Sequence, residues 1–217
     1  MSSTRTGTFT EQNIDAGIRA LQDIPLVSGY IAATQTAYEL ITLGKTLEQS
    51  INGDKKSFTL HYIDWQNPQN NVFHVTEEYS VLRSGRKDHY LPDIVLFVNG
   101  IPLSIIECKR PDIKDPIQQA VSQHHRNQQE DGIRPLYIYA QMLLAIASND
   151  ARYATNGTPM KYWSSWQEKF TTQEEARSYA NNLQALRNKP IPGDVQQNMF
   201  SERQGHVSSY FEAMEKQ

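Results

Sequence analysis

The sequence feature that most constrains the fold is an apolar stretch from Pro92 to Lys109, interrupted by Asn99-Gly100. Runs rich in β-branched residues flank the Asn-Gly pair, which is the strongest short-range signal for a β-hairpin. The apolar residues are continuous rather than alternating, which is typical of strands covered on both faces. The stretch therefore predicts two adjacent central strands of a buried sheet.

Hydrophobic periodicity and turn formers divide the chain into three parts. We expect an arm over 1–30, a domain over 31–170, and a helical tail or linker over 171–217 that contains Pro190, Pro192 and Gly193. Helices are predicted within 31–50, over 115–130 with Asp115 as N-cap before Pro116, and over 172–188. Strands are predicted over 58–63, 72–82 and 142–147, with a turn over 64–71 and a charged loop over 83–89.

Three charged residues stand at the open end of the predicted hairpin. Glu107 and Lys109 are two residues apart on one strand, so their side chains point to the same face. Asp93 begins the facing strand, and Cys108 should point to the opposite face, into the core. Charges at the end of a buried strand cost free energy unless they are paired or bound to a metal. A salt bridge where the strand emerges into water is the alternative explanation.

These groups match what phosphodiester hydrolysis requires. The reaction needs a crowded anion neutralised and a water molecule activated, and carboxylates that hold Mg²⁺ can do both. Asp93, Glu107 and the main-chain carbonyl of Cys108 would supply oxygen ligands to Mg²⁺, for which Mn²⁺ can substitute. Lys109 would orient the water or stabilise charge on the phosphate.

The register of the hairpin tests this hypothesis. A strict two-residue loop at Asn99-Gly100 would pair Asp93 with Ile106, and the Asp93 side chain would then point away from Glu107. A three-residue connection, or a bulge at Gly100, would pair Asp93 with Glu107 instead. We therefore predict a bulged or longer turn.

The pattern Pro92-Asp93 followed by Glu107-x-Lys109 resembles the PD-(D/E)XK nuclease superfamily. The wider sequence over roughly residues 30–170 resembles the N-terminal domain of type I restriction enzyme R subunits. The segments that carry this resemblance are 38–46, 58–71, 92–111, 118–128, 136–155 and 162–168. The resemblance implies an α/β fold with a restriction-endonuclease-like core, in which helices flank a central mixed sheet. It also implies Mg²⁺-dependent cleavage of double-stranded DNA, with Asp93 and Glu107 as metal ligands and Lys109 as the catalytic lysine.

The resemblance points to further site residues. Many family members carry a catalytic glutamine on the following helix, with a tyrosine about four residues later. Gln123 matches the glutamine, and Asn127 stands in the tyrosine's place. Both would share one helix face and bind the backbone or a phosphate; the alternative is a solvated, glutamine-rich face. Relatives can add one more acidic ligand, for which the candidates are Glu39, Glu48 and, preferred for its place on a neighbouring strand, Glu78; a surface glutamate is the simpler explanation of each.

Basic residues near the hairpin would form a rim that contacts DNA phosphates. The predicted DNA-binding residues are Arg86, Lys87, Arg110, Lys114 and Arg126, with Arg83 beside them. His124 and His125 are adjacent, so they cannot readily share a metal, and we expect both on the helix surface. Trp163 and Trp166 are expected to pack in the core or between domains.

Composition limits where the protein acts and what it contacts. The formal net charge of −3 does not favour nucleic-acid binding by the whole surface, so contact with DNA requires a local basic region. Without an apolar run of about 18 residues or an N-terminal signal pattern, we expect no membrane contact. The single cysteine, Cys108, excludes an intrachain disulfide and a cysteine-rich zinc site, and it fits a cytoplasmic location.

An ATP-binding motif is missing from the sequence. Gly44-Lys45-Thr46 resembles the end of a P-loop, but Glu39 stands where the first glycine is required. Type I R subunits carry an ATP-driven motor, so we expect this chain to be a fragment or a truncated product, and ATP to matter only in the full-length subunit. The modification and specificity subunits would be its partners there. Two alternatives stay open: a nuclease-like docking module that no longer cuts, and a stand-alone repair nuclease of the same superfamily.

Overall fold

The computed structural model describes residues 9–51, 54–110, 112–147, 150–166 and 172–187. The chain divides into two compact units, Met1–Trp166 and Gln167–Gln217. In the second unit the described residues form one helix, α5 (Gln173–Arg187), within the predicted helix over 172–188. Thr172 and Glu175 exchange hydrogen bonds between side chain and main-chain N–H, which is the reciprocal pattern of a capping box. Pro190, Pro192 and Gly193 lie outside the described residues.

The first unit alternates short helices and strands. In chain order these are α1 (Glu11–Gln22), α2 (Tyr30–Leu43), β1 (Lys45–Ile51), β2 (Asp54–Leu60), β3 (Phe73–Glu77), β4 (Val81–Leu82), β5 (His89–Tyr90), β6 (Ile94–Val98), β7 (Ile101–Cys108), α3 (Pro116–Asn127), α4 (Arg134–Tyr137), β8 (Met142–Ala147), β9 (Asp150–Ala154) and β10 (Ser164–Ser165). Among the helices of the described ranges, none is both long and apolar enough to cross a membrane.

Six of these strands form one mixed sheet in the order β10-β9-β8-β7-β6-β3. Only β7 and β8 are parallel neighbours, and the other pairs are antiparallel. Parallel neighbours need a crossover connection, which α3 and α4 provide. The predicted α/β fold, with helices flanking a central mixed sheet, is confirmed. The pairs β1-β2 and β4-β5 form separate two-stranded ribbons.

The main core lies between α3 and one face of the sheet. α3 begins at Pro116 as predicted, although the Asp115 side chain makes no capping hydrogen bond. The buried residues shared by helix and sheet include Ile117, Ala120 and Val121 from α3, and Val95, Ile105 and Leu143 from the strands. Because side chains alternate along a strand, Glu107 lies on the same face as Ile105 and is covered by α3.

The other face of the sheet is only partly covered. In β8 the residues alternate between buried Leu143, Ala145 and Ala147 and partly exposed neighbours. On β3, Phe73 and Val75 keep 62% and 65% of their surface exposed. In the hairpin strands themselves every residue except Cys108 is buried or partly buried, so the predicted cover on both faces fails only at the Cys108 end of β7.

Several predicted boundaries shift because glycine or positive φ angles interrupt the pattern. α2 ends at Leu43, and Gly44 adopts a φ of 80° where a Cβ would overlap the Leu60 carbonyl oxygen. The strand predicted over 72–82 is divided into β3 and β4, since Glu78 has a φ of 47°. The arm predicted over 1–30 contains α1, whose Gly17 carbonyl accepts a hydrogen bond from the Tyr62 hydroxyl at 2.6 Å.

Candidate active site

A tight turn joins β6 to β7 and begins the hairpin that carries the site. Val98 pairs with Ile101 across a loop of only two residues. Asn99 and Gly100 have φ angles of 51° and 83°, and positive φ at both positions is the requirement of a type I′ turn. The Asn99 amide also donates to the Tyr62 carbonyl at 2.8 Å, which holds the turn against the chain before β3.

A bulge in β7 then changes the register of the hairpin. Phe97 pairs with Pro102, but Leu96 pairs with Ser104, so Leu103 is an extra residue on β7. The prediction of a bulged or longer turn was therefore wrong, because the turn is a strict two-residue one, and the expected shift in pairing comes instead from a bulge at Leu103 within β7. It allows a strict two-residue turn to coexist with the shifted pairing.

The shifted register brings the three predicted charged residues together. Ile94 pairs with Ile106, so Asp93 lies opposite Glu107 at the end of the hairpin. The Lys109 Nζ lies 3.7 Å from Asp93 Oδ2 and 4.0 Å from Glu107 Oε2. One ammonium group thus faces two carboxylates that belong to adjacent strands.

Main-chain groups hold Asp93 in place. Asp93 Oδ2 accepts a hydrogen bond from the Cys108 N–H at 2.7 Å. The Asp93 carbonyl accepts one from the Glu78 N–H at 2.9 Å, so Glu78 follows β3 directly beside Asp93. The Cys108 carbonyl accepts a bond from Lys109 Nζ at 3.3 Å, which places this predicted oxygen ligand at the same site.

The Cys108 side chain does not lie where the sequence predicted. The residue is exposed, because the open face of the sheet is uncovered at this end of β7. Partial burial of the thiol and the nearby Asp93 and Glu107 carboxylates raise its pKa. A thiol that keeps its proton is a poor nucleophile, so Cys108 contributes main-chain groups rather than sulfur chemistry.

Glu107 is the most unusual group of the site. It has no exposed surface, and Oε1 accepts a hydrogen bond from Asn127 Nδ2 at 3.3 Å. Oε2 is buried and has no hydrogen-bond donor among the described residues. Burial raises the pKa of Glu107 to about 8, and the Asp93 charge adds to this effect while Lys109 opposes it. A buried carboxylate with one unused oxygen suits a cation that replaces the proton.

The donor set fits a hard cation with few protein ligands. Within the described ranges, no three His, Cys, Asp or Glu side chains are arranged to hold a metal. Mg²⁺ commonly uses one or two carboxylates and completes its shell with water and phosphate oxygens, so Asp93, Glu107 and the Cys108 carbonyl suffice. Of the other acids, Glu78 adjoins Asp93, and Glu39 accepts a hydrogen bond from Gln35 on α2. Glu48 is exposed on the separate β1-β2 ribbon.

An open groove of about 570 Å³ begins at Lys109 and follows α3. Besides Lys109, three residues predicted to bind DNA or act in catalysis line it: Lys114, Gln123 and Arg126. The remaining lining residues are Asp115, Gln118, Gln119 and Ser122. Cationic, amide and hydroxyl side chains of this kind are the usual partners of DNA phosphates.

The other predicted DNA-binding residues differ in how their charges are paired. Arg86 lies 3.2 Å from Asp131, and Arg110 lies 2.9 Å from Asp112. Lys87 is exposed in the loop before β5.

Tyr90 positions the arginine of the groove. The Arg126 guanidinium carbon stands 4.6 Å from the centroid of the Tyr90 ring, a cation–π contact. Arg83 also contacts this ring, but it is bound by Asp88 and Asp131 at 2.7 Å each. Arg126 is thus the member of the Tyr90 cluster that lines the groove.

His124 and Asn127 are buried, and the prediction of a surface position for His124 was wrong. His124 has no exposed surface, and its burial lowers the pKa of the imidazole to about 4. Asn127 is equally buried, which excludes the solvated alternative for this residue. The apolar residues Ile117, Ala120 and Val121 share a face with both positions, so their spacing was the available signal.

The remaining aromatic and histidine predictions have clear outcomes. Trp163 is a core residue, as expected, and its indole N–H donates to the Thr158 carbonyl at 3.1 Å. Trp166 keeps 48% of its surface exposed and contacts the Tyr153 ring edge-on. His125 is partly buried, and its Nε2 contacts the Thr158 carbonyl at 3.0 Å.

Comparison with known proteins adds the family. The family model for the type I restriction enzyme R protein N terminus matches residues 5–162. A Methanocaldococcus jannaschii protein described as the type I restriction enzyme MjaIXP endonuclease subunit is 33% identical over 129 residues, which are 58% of this chain and 12% of that protein. The type I restriction enzyme HindI endonuclease subunit of Haemophilus influenzae is 26% identical over 163 residues, which are 75% of this chain and 15% of that protein.

The chain therefore spans a small fraction of the length of these relatives. The family model, in contrast, covers most of the chain and includes the whole hairpin and α3. On this basis, the chain belongs to the family of type I restriction enzyme R protein N-terminal domains.

Proposed function

We propose that this chain is a PD-(D/E)XK endonuclease domain that hydrolyses phosphodiester bonds in double-stranded DNA with Mg²⁺. The observation that carries the proposal is the fully buried Glu107, whose Oε2 has no hydrogen-bond donor among the described residues and lies 4.0 Å from Lys109 Nζ. A structural salt bridge would neutralise only one of the two acids, since a single ammonium group lies 3.7 Å from Asp93 and 4.0 Å from Glu107. The nearby Asp93 charge also raises the pKa of Glu107, as expected for two acids close enough to share one cation.

Each residue of the site has a defined role in this proposal. Asp93, Glu107 and the Cys108 carbonyl hold the cation, which when bound stabilises charge on the phosphate and makes a bound water more acidic. Lys109, which faces both carboxylates, orients the attacking water or the phosphate oxygen. Glu78 is the candidate for an additional ligand, since it adjoins Asp93.

The groove along α3 is the proposed path of the DNA. It begins at Lys109 and presents Lys114, Gln123 and Arg126, so a phosphate bound by these residues would lead the backbone to the carboxylates. A local basic groove reconciles DNA contact with a net charge of −3. Binding would be weak and independent of sequence, because phosphate contacts carry no sequence information.

The names of the relatives support restriction as the biological context. Both are called type I restriction enzyme endonuclease subunits, and this chain matches 12% and 15% of their lengths. In a full-length subunit, ATP would serve a motor outside this chain, and modification and specificity subunits would select the DNA. A cytoplasmic location follows from that role.

Plasmid cleavage in Mg²⁺ tests the proposal. We expect Asp93→Ala and Glu107→Gln to lower the cleavage rate more than about 100-fold, because even outer partners of a metal site contribute 10–100-fold. Glu130→Ala is a matched control, since Glu130 is 91% exposed and pairs only weakly with Arg134. Both the full-length subunit with its partners and the 217-residue chain at high concentration should be assayed.

Equal cleavage by wild type and Asp93→Ala would remove the catalytic assignment. Cleavage by neither, combined with retained binding to partner subunits, would favour the docking module. A gene that lacks a downstream motor region, together with cleavage by the isolated chain, would favour the stand-alone repair nuclease.

A further inference from the structure

A network of buried polar side chains extends from Glu107 into the core beneath α3. Asn127 Nδ2 donates to Glu107 Oε1 and lies 3.3 Å from the Tyr137 hydroxyl. That hydroxyl is 3.0 Å from His124 Nδ1, and His124 Nε2 is 2.8 Å from the Leu144 carbonyl. Asn127, Tyr137 and His124 have no exposed surface, so water does not complete these contacts.

The Leu144 carbonyl at one end of the network determines which group donates in each of its hydrogen bonds. The Leu144 carbonyl can only accept, so His124 carries its proton on Nε2 and its Nδ1 is an acceptor. The Tyr137 hydroxyl must then donate to Nδ1, which leaves the phenolic oxygen to accept from Asn127. The two hydrogens of the Asn127 amide are thereby assigned, one to Tyr137 and one to Glu107.

This arrangement fixes which oxygen of Glu107 is free. When Glu107 is ionised, as it must be to bind a cation, rotation of the Asn127 amide by 180° would place its oxygen against two acceptors, the phenolic oxygen and the carboxylate. Oε1 of Glu107 is consequently held against α3, and Oε2 is directed towards Lys109 and Asp93. Without a hydrogen-bond partner such as Asn127, the χ3 torsion of a glutamate has a broad, two-fold preference, and neither oxygen would be held in one place.

Packing of α3 does not by itself require these polar groups. In the preceding turns of α3, the apolar residues Ile117, Ala120 and Val121 on the same face are buried against the sheet. Burying polar groups costs free energy unless each has a partner, so a network that ends on an active carboxylate indicates a role at that carboxylate.

We propose that Asn127, Tyr137 and His124 are positioning residues that orient Glu107 for the divalent cation. The inference rests on the proposed function, because the cation is the one assigned there to Asp93 and Glu107. The Tyr137 hydroxyl, from α4, lies 3.3 Å from the Asn127 amide nitrogen on α3.

Direct Mn²⁺ binding to the 217-residue chain, measured by titration calorimetry without DNA, tests the proposal. Tyr137→Phe removes only the hydroxyl, and Asn127→Leu replaces the amide with an apolar group of similar size. We expect both to weaken Mn²⁺ binding 10–100-fold, which is the usual effect of losing a hydrogen bond behind a metal ligand. Wild-type affinity in both variants would overturn the proposal.

Tyr139→Phe is the matched control. The Tyr139 hydroxyl is partly buried and donates to the Leu21 carbonyl at 2.6 Å, so its loss removes a comparable bond that does not lead to Glu107. We expect unchanged Mn²⁺ affinity in this variant. A loss equal to that of Tyr137→Phe would mean that the effect is general destabilisation and would also overturn the proposal.

Crystal structures of Tyr137→Phe and Tyr139→Phe separate this inference from the proposed function. If the wild-type chain binds no Mn²⁺, the proposed metal site fails, whereas the orientation of Glu107 can still be compared between the two variants. We expect Glu107 to lose its bond to Asn127, or to rotate, only in Tyr137→Phe. An unchanged Glu107 in Tyr137→Phe would overturn the positioning role whatever the result with Mn²⁺.

Discussion

Glu107 lies opposite Asp93 because one additional residue, Leu103, is accommodated in β7 between the turn and the site. Without it, the two-residue turn at Asn99-Gly100 would pair Asp93 with Ile106. Since successive side chains of a strand point to opposite faces, a shift of one residue decides whether the two carboxylates can share a cation.

After deletion of Leu103, a two-residue turn should no longer be compatible with both the pairing of Asp93 with Glu107 and the burial of Ile105. Either the turn at Asn99-Gly100 is distorted, or each residue of β7 after the deletion points to the opposite face of the sheet. In the second case the Ile105 side chain moves from the core to the open face. We expect a loss of at least about 3 kcal/mol in the free energy of unfolding, as for truncation of large core residues. Denaturant unfolding measures this loss.

Leu103→Ala is the control for the deletion, since it removes the side chain and keeps the residue count. It should retain Mn²⁺ binding, whereas the deletion should abolish it. Retained Mn²⁺ binding and stability in the deletion variant would contradict the register argument.

Burial of Glu107 and His124 predicts how the stability of the metal-free protein depends on pH. The pKa of Glu107 is raised to about 8, so above its ordinary pKa the folded state holds a proton that the unfolded state has lost. Stability from this group falls as pH rises towards 8. The pKa of His124 is lowered to about 4, so its contribution instead falls as pH drops below about 6.5.

The contributions of Glu107 and His124 to stability offset each other between about pH 4.5 and 6.5. From about pH 6.5 to 8 only the Glu107 contribution changes, so the free energy of unfolding declines. One proton over this interval corresponds to about 2 kcal/mol in the free energy of unfolding. Urea unfolding at several pH values measures the decline. Glu107→Gln should remove it, because a neutral amide has no proton to lose; a decline that persists in this variant must come from another group.

Metal binding should depend on pH for the same reason. A cation that binds Glu107 must displace the proton retained by the raised pKa of about 8. Mn²⁺ affinity should therefore rise about tenfold for each pH unit between pH 6 and 7.5, with about one proton released. Calorimetry in buffers of different ionisation enthalpy counts that proton. Affinity independent of pH would contradict displacement of a proton from Glu107.

The sequence predicted the central sheet and the charged triad because both depend on local patterns. Asn99-Gly100 specified the turn, and Glu107-x-Lys109 specified two side chains on one face. The bulge at Leu103 was inferred only as a need for a shifted register, although Pro102 beside it has no N–H for the ladder and is the residue type that marks bulges.

The buried network was missed for a different reason. His124 was expected on the surface because it adjoins His125, and Asn127 was considered only together with Gln123, so neither was compared with the apolar positions that share its helix face. Tyr137 is ten residues beyond Asn127 and follows a turn, and only the packing of α4 brings its hydroxyl to α3. Cys108 was placed in the core because strand alternation does not indicate whether a second layer covers the other face.

Two arginines provide a matched test of the DNA path. Arg126 lines the groove and stacks on Tyr90, whereas Arg86 is paired with Asp131 outside the groove. Arg126→Ala should weaken DNA binding and lower the slope of log K against log salt by about one unit, as expected for one lost phosphate contact. Arg86→Ala should change the slope less. Fluorescence anisotropy with duplex DNA at several salt concentrations measures both, and a larger effect at Arg86 would move the path to the loop before β5.

Gly132 provides an independent way to disturb Asn127 without altering any polar group. A Cβ at Gly132 would overlap the Asn127 carbonyl oxygen and lie 3.0 Å from the Arg126 carbonyl oxygen, so Gly132→Ala must displace the end of α3. We expect a loss of about 1–3 kcal/mol in the free energy of unfolding, as for overpacking in a core, together with weaker Mn²⁺ binding. Thermal unfolding and Mn²⁺ titration measure the two effects.

Gly85→Ala separates backbone strain from displacement of Asn127. Gly85 has a φ of 67° and no atoms within 4 Å of an added Cβ, so alanine there should cost about 1 kcal/mol through backbone strain alone. Its Mn²⁺ affinity should match that of the wild type, because the strain arises in the loop between β4 and β5, away from Asn127. If both glycine variants weaken Mn²⁺ binding equally, the metal site responds to overall stability rather than to the position of Asn127.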